Sequence, residues 1–480
     1  MKRNRKKQRS RRVSQPVLDS PSPHKSRMIV VLVSLIIGGC LIAGILQLKR
    51  PKPSPPSVTA PGREVQNEKE PEDFASLLFG KAQDVPQVKA EALRLGNHMI
   101  KQFPQKDAAL FLMGSVYGQQ GDIKENIALW EEVIRLNPQR ADVYDKLAQL
   151  LKDQGDVEQA LIYWQQGLKV DPRHAKALWA LANTYIERHQ AGQAVALLKQ
   201  ACVVAPRSVR NYYLLGQAYR QLEQYEDALP QYEKAIALDP NHYNAHYDLA
   251  LTYRNLDQPE QAKASLVTFQ ALKKSIKTSI PEAIVSDDLP ENLKKLARYY
   301  WQAYTIYKTN KQNLQGLPLL QRAIALDPRN TYYQELLGVF YTQHKQYSQA
   351  ITVYQHAQGI DPNRPLFAVN IGQLYTRMGQ PAQAERMFKQ TIEGFPDYAL
   401  GYVELVRLYL TAQKNLARTI GLAQRAVDLQ PSAENYHLLS WTHLVNKHYP
   451  QAMQAIEKAM ALAPNNKKYE VHYEHIKKQL

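Results

Sequence analysis

Cysteine is almost absent from this chain of 480 residues, which has only Cys40 and Cys202. Cys40 stands in a long apolar run and Cys202 in a helical pattern, so the two are not expected to pair and no disulfide is expected to staple the fold. That does not exclude an extracytoplasmic address. The 21 glycines are never gathered into a phosphate-cradling loop, and no nucleophile elbow occurs. Close histidine pairs occur at His242/His246 and His472/His475, without a Cys or carboxylate cluster at ligand spacing. Such pairs read as surface or packing histidines. No cofactor, metal or catalytic residue is assigned, and the chain reads as non-enzymatic.

Acidic residues are also short, 44 against 61 Lys and Arg, for a net charge of +17. Most of the excess lies at the front. Residues 1–50 hold twelve basic residues and one acidic, whereas the remaining 430 hold 49 and 43. The basic run from Lys2 to Arg9 lacks the stacking aromatics of a nucleic-acid site, so none is expected to bind. It suits a topology signal, with anionic lipid contact worth about 1 kcal/mol per basic residue near the surface.

Residues 28–48 contain no charge and thirteen Ile, Leu and Val. Each contributes roughly −0.3 to −0.6 kcal/mol to insertion, and the run is long enough to cross a hydrocarbon core of about 30 Å. A cleaved signal peptide has a shorter apolar region and a small-residue cleavage site, whereas this one runs into Lys49-Arg50-Pro51. Ile37-Gly38-Gly39-Cys40 resembles a lipoprotein processing box, but the apolar run continues past the cysteine to Leu46. The reading is an uncleaved transmembrane signal-anchor. Ten Lys and Arg against Asp19 in residues 1–27 place the N-terminus in the cytoplasm and the rest across the membrane, most simply a bacterial inner membrane facing the periplasm. Pro51, Pro53, Pro55, Pro56 and Pro61 then favour an extended spacer.

The prolines beyond it are periodic. Pro104, Pro138, Pro172, Pro206 and Pro240 stand 34 residues apart; the beat resumes at Pro328, Pro362 and Pro396 and continues less regularly at Pro431 and Pro464. Such a period signifies stacked small units rather than one globular core. Within one unit, Tyr212, Leu215, Gly216 and Tyr219 share a helical face, a polar break follows, and Ala228, Tyr232, Ala235, Ile236 and Leu238 form a second helix. Asp239 before Pro240 stops it, because a residue before proline is pushed out of the α region. Asn137, Asp171, Asp327 and Asp361 repeat that stop.

This pattern resembles the tetratricopeptide repeat family. Tyr212, Leu215-Gly216, Tyr219, Ala228, Tyr232, Ala235 and Pro240 carry the resemblance; Leu178, Leu181-Ala182, Tyr185, Ala194, Leu198, Ala201 and Pro206 repeat it, as do Leu337-Gly338, Tyr341, Ala350, Tyr354, Ala357 and Pro362. It implies an all-α, right-handed superhelical solenoid of helix-turn-helix repeats, here preceded by one transmembrane helix. About ten units are counted from Asp107 to Pro464, with a weaker one from Asp73 to Pro104. The expected organisation is a basic tail (1–27), the anchor (28–48), a Pro-rich linker (49–72), repeats (73–276), an insertion (277–296), repeats (297–464) and a capping helix (465–480). Pro230 and Pro318, early in their second helices, are expected to produce a local kink.

The resemblance implies protein binding. Inward positions of the first helices in mid-array are Lys176, Trp179, Asn183, Arg210, Tyr213, Gln217, Arg220, Asn244, Tyr247 and Arg254, with Asp248 as a nearby acidic exception. Arginine and large aromatics are enriched at binding hot spots, so this stripe is the candidate groove for an extended or helical protein segment with acidic and apolar residues. The leading reading is a membrane-anchored adaptor that assembles a complex. Alternatives are an organellar import or chaperone-docking receptor, or an accessory subunit of an envelope secretion or polysaccharide-synthesis machine. The chaperone clamp of some family members opens with Gly-Asn; Gly114-Ser115, Ala148-Gln149 and Ala182-Asn183 match it only at Asn183.

Overall fold

In a computed structural model, the placement of residues 83–277 and 288–480 is described. These residues belong to one unit, Pro71–Leu480. The tail, anchor and linker lie outside them. Among the described residues there are 22 α-helices and no strand. A single helix, α1 (Val85–Gln102), comes first. Five hairpins follow: α2 (Asp107–Gln120) with α3 (Ile123–Leu136), α4 (Ala141–Asp153) with α5 (Val157–Val170), α6 (Ala175–Glu187) with α7 (Ala191–Val204), α8 (Val209–Gln221) with α9 (Tyr225–Leu238), and α10 (Tyr243–Asn255) with α11 (Pro259–Lys277). Five more pair α12 (Leu289–Thr309) with α13 (Asn313–Leu326), α14 (Thr331–Gln343) with α15 (Tyr347–Ile360), α16 (Leu366–Arg377) with α17 (Pro381–Gly394), α18 (Ala399–Thr411) with α19 (Leu416–Leu429), and α20 (Ala433–Val445) with α21 (Tyr449–Leu462). The last helix is α22 (Lys467–Lys477).

One hairpin shows why the units form. Ser208 caps α8, its hydroxyl accepting from the Asn211 amide. The helix buries Leu214, Leu215, Ala218 and Tyr219 and leaves Arg210 exposed. Gly216 lets the second helix approach, since a Cβ there would lie 2.7 Å from the Tyr232 ring. Asp239, held extended before Pro240, ends α9. Both α9 and α13 run through their internal prolines, Pro230 and Pro318, as single helices.

Every hairpin turns through a left-handed residue. These are Gly121, Gly155, His189, Glu223 and Asp257, then Lys311, Lys345, Gly379, Gln413 and Lys447, spaced 34 residues apart within each half. The α18–α19 turn carries an extra left-handed residue, Asn415. That added residue displaces Pro431 by one; by Pro464 the original pitch has returned.

The sequence places an insertion at 277–296, whereas α11 continues to Lys277 and α12 begins at Leu289, so residues 289–296 are the first two turns of a helix. Outside its own hairpin, α12 packs on the opposite end of the first half, against α1 and α2. There Glu91 and Arg322, both about 94% buried, form a two-pronged ion pair, with Arg322 Nε and Nη2 each 2.9 Å from a Glu91 oxygen. The Tyr300 hydroxyl donates to Glu91 at 2.8 Å. Burial and the Glu91 carboxylate raise the Tyr300 phenol well above its ordinary range. Tyr299 donates to the Ser115 carbonyl and Gln119 to Asn292, each at 3.0 Å. Phe103 meets the Tyr307 ring edge-on at 4.9 Å.

At the other end α22 covers α20 and α21, burying Tyr469, His472 and Ile476. His472 stacks on Trp441 at 4.2 Å, and its ring stands 5.0 Å from that of His437. His437 accepts from Trp441 Nε1 at 3.2 Å, whereas neither ring nitrogen of the buried His472 has a hydrogen-bond partner among the described residues. Burial above all, aided by His472, Lys468 and Arg407, pushes His437 down to about 3; burial, His475 and Lys468 push His472 down to about 4. Both rings are therefore neutral when folded and take up protons more readily when released. The stability they contribute is present above the unfolded value near 6.5 and lost as pH falls towards the folded values, by up to about 1.4 kcal/mol per pH unit for each ring. The melting temperature of the C-terminal hairpin should fall between pH 7 and pH 4.5. Replacing His472→Phe should leave it unchanged at pH 7.5 and flatten that fall, as read by thermal denaturation monitored by circular dichroism.

Candidate partner-binding surface

The first helices of neighbouring hairpins bring four of the ten groove candidates around one hollow. Trp179, Asn183, Arg210 and Tyr213 line it with Val209, Leu214, Asp239 and His242, enclosing about 520 Å³. The Arg210 guanidinium lies 4.3 Å from the centre of the Trp179 ring, a cation–π contact that orients the charge without neutralising it. Across the hollow, Tyr213 packs against His242 at 4.7 Å. His242 also caps α10, its Nδ1 accepting from the Ala245 amide at 3.1 Å. The neighbouring His246 meets the Pro240 carbonyl at 3.0 Å. Both histidines therefore have structural partners.

The other candidates are held elsewhere. Lys176 forms an ion pair at 3.3 Å with Asp145, which is buried and also accepts from Trp164 Nε1. Asn183 donates to Glu187 at 2.6 Å. Beneath the hollow, Gln217 donates to the Tyr213 hydroxyl at 2.8 Å and to buried Asp248 at 3.2 Å. Arg220 stands 3.5 Å from Asp248 and 3.4 Å from the Tyr232 hydroxyl. Burial, then the Asp248 charge, hold the Tyr213 and Tyr232 phenols above their ordinary range, so both stay neutral. Tyr247 packs on Phe269 at 5.1 Å, at the far edge of the first half. Asn244 and Arg254 are exposed outside the hollow.

Two features escaped the sequence reading. Asp248 stands out in the sequence as an acidic exception beside the stripe, but its pairing with Arg220 does not, nor does that of Asp145 with Lys176, and these pairings neutralise two of the stripe's cations. Both aspartates sit on the first helix of an adjoining hairpin, about one repeat away from the cation they meet, and a helical-wheel pattern of one unit does not show the pairing. In addition, Trp301 in α12 occupies the repeat position of Trp179 and Tyr213. It meets Tyr332 edge-on at 5.9 Å, with Arg298 exposed one turn before it. Counting residues back from each hairpin turn would have found this second aromatic and basic cluster. Among the described residues, no group of three or more His, Cys, Asp or Glu is placed to hold a metal ion.

Comparison with known proteins follows the repeats. A family model described as TPR repeat matches residues 216–257. Others described as tetratricopeptide repeat match residues 108–140, 243–275, 307–365 and 341–405. A model described as anaphase-promoting complex, cyclosome, subunit 3 matches residues 153–235. Among solved structures, MamA 41-end from Desulfovibrio magneticus RS-1 is 24% identical, covering 35% of this chain and 97% of its own, at TM-score 0.34. YrrB, described as a TPR protein with an unusual peptide-binding site, is 20% identical over 42% of this chain and 95% of its own, at TM-score 0.29. No curated protein matches the chain in sequence. Matched segments in both halves lie over helical hairpins that turn every 34 residues, so both halves of the described chain carry tetratricopeptide repeats.

Proposed function

We propose that this protein is a membrane-anchored, non-enzymatic scaffold that gathers protein partners into a complex through the inner surface of a right-handed repeat superhelix. The observation that carries this reading is the Trp179–Arg210 shelf beside the 520 Å³ hollow. There a cation without a carboxylate partner among the described residues stands over an aromatic face. Arginine on such a shelf presents a planar, oriented donor set to a carboxylate, and the hollow beside it, of mixed apolar and polar lining, accepts the neighbouring side chain against Val209, Tyr213 and Leu214. The partner is therefore an extended or helical segment with acidic and apolar residues. Its capture should weaken as salt rises, since exposed charges are screened over about 8–10 Å.

Tethering rests on the apolar run at residues 28–48, the basic tail before it and the proline-rich spacer after it. Together they favour a single-pass protein with a cytoplasmic N-terminus and extracytoplasmic repeats, the tail resting on anionic headgroups. No helix among the described residues is long and apolar enough to cross a membrane. The anchor reading rests on sequence alone.

Two cations in this stripe should behave in opposite ways. Arg210→Glu should leave the melting temperature unchanged and abolish recovery of the native partner by affinity capture from solubilised membranes. Arg220→Ala should instead lower stability by about 1–3 kcal/mol, because it removes the ion-pair partner of a buried carboxylate. If Arg210→Glu retains the partner at the wild-type level, the groove assignment is wrong. For topology, a reporter active only outside the cytoplasm should be active when fused after Leu480 and silent when fused within residues 1–27. The reverse pattern would place the repeats in the cytosol.

A further inference from the structure

Ten hairpins allow an internal comparison at each repeat position. Nine residues beyond the left-handed turn residue (ten in the α18–α19 hairpin, which has the added residue), the second helix carries a side chain that packs on the first helix of its own hairpin, as Tyr232 does at Gly216, and can also meet the layer that follows, as Tyr354 meets Phe367. Trp164, Tyr232, Leu320 and Ile456 occupy that position, and in nine hairpins the residue is at most 8% exposed. In the tenth it is Leu266 of α11, which is 37% exposed. Three residues further on, the usual occupant is a small buried residue such as Ala201, Ala235, Ala357 or Ala459; in α11 it is the half-buried Phe269. The intervening position holds Lys199, Glu233 or Gln355 in other hairpins, but here Val267, which is 59% exposed. Tyr247 from α10 extends the patch and is 42% exposed.

Leu266 and Phe269 stand where their counterparts are covered, and Val267 stands where other hairpins carry an exposed polar side chain, so the face is both less covered and more apolar than its counterparts. At the corresponding end of the second half, α22 lies over Ile456 and Ala459. Among the described residues no helix does so for α11. Its rim is basic: Lys263, Lys273 and Lys274 make no ion pair among the described residues, and Lys273 lies over Phe269 at 5.3 Å. Glu260 is the one acidic residue on α11. A second copy of the same face would bring these lysines against one another, so charge disfavours self-pairing and favours an acidic guest.

We propose that the α10–α11 end face is a second docking surface, distinct from the Trp179–Arg210 hollow, which takes an amphipathic α-helix of a partner protein with a Leu/Ile/Val stripe and Asp or Glu flanks. The guest completes the array as one further helix, its apolar stripe on Leu266, Val267 and Phe269 and its carboxylates on the lysine rim.

The test uses the detergent-solubilised full chain and two labelled peptides of about 20 residues, matched in length to α11. Both carry leucines at helical spacing; one has glutamate at the flanks and the other lysine. The glutamate peptide should bind roughly tenfold or more tightly than the lysine peptide, a difference of about 1.4 kcal/mol. Lys263→Glu with Lys273→Glu and Lys274→Glu should reverse that preference, and Val267→Glu should abolish binding of either. Arg210→Glu should leave binding intact, which separates this surface from the Trp179–Arg210 hollow. Equal binding of the two peptides, no binding, or retention by Val267→Glu overturns the proposal. A photo-crosslinker at position 267 in cells should join the chain to another protein through an acidic helical segment. Adducts with a second copy, with this chain's own residues 278–288, or with nothing would overturn it.

Discussion

A helical hairpin with apolar side chains on both broad faces can bury one face against its own partner helix only if something else covers the other. That constraint organises the described molecule. Tyr232 packs within its hairpin against Gly216, and it is fully buried in a core cluster that Leu249 of α10 joins. Every interior unit is stabilised by its neighbours, so the ends are where the sequence must depart from the repeat. One end departs by adding α22. Both halves solve the problem at their beginnings together, by packing α12 against α1 and α2.

The placement of α12 follows from its polar tips. Simple propagation would stack it on α11, the preceding helix in the chain. But α12 presents Tyr299, Tyr300, Tyr307 and Asn292, whose hydroxyl and amide groups need partners once buried. The α1–α2 edge offers the Ser115 carbonyl, the Glu91 carboxylate, Gln119 and the imidazole of His98, which lies 3.0 Å from the Tyr307 hydroxyl. The α11 edge offers Leu266, Val267, Phe269 and lysine ammonium groups, with no acceptor among them. A buried Glu–Arg pair is not a rich source of net stability, because removing both charges from water offsets most of their attraction. Its effect here is on register: only the observed pairing leaves neither Glu91 nor Arg322 orphaned.

The repeat period, the hairpin limits and the aromatic–glycine contacts were legible because each is a local rule repeated many times. Asp239 before Pro240 stops a helix for a reason confined to two residues. The left-handed turn residues were harder to read, since His189, Glu223, Lys311 and Lys447 occupy a conformation normally signalled by glycine. The junction was not legible. Glu91 lies in the weakest repeat match and reads as an ordinary surface acid, and nothing local indicates that its partner is Arg322, 231 residues away. Long-range polar pairing leaves no periodic trace.

The same distinction explains the groove. The inward positions could be found by subtracting the packing residues from each first helix, and four of them do surround one hollow. Their charge state could not be found that way, because it depends on what the next hairpin supplies. Asp145 takes up Lys176 and Asp248 takes up Arg220, so the stripe is less cationic than its sequence. Arg210 differs because the position beside it holds Trp179, which orients the guanidinium without supplying a counter-charge. In the second half Trp301 stands at the equivalent position with Arg298 one turn before it, and the next hairpin supplies Tyr332 where the first half has a cation. The adjoining Glu335 is already engaged by Arg364 at 2.6 Å. The cationic character of the proposed groove is therefore set less by which residues point inward than by which inward cations their neighbours leave without a counter-charge.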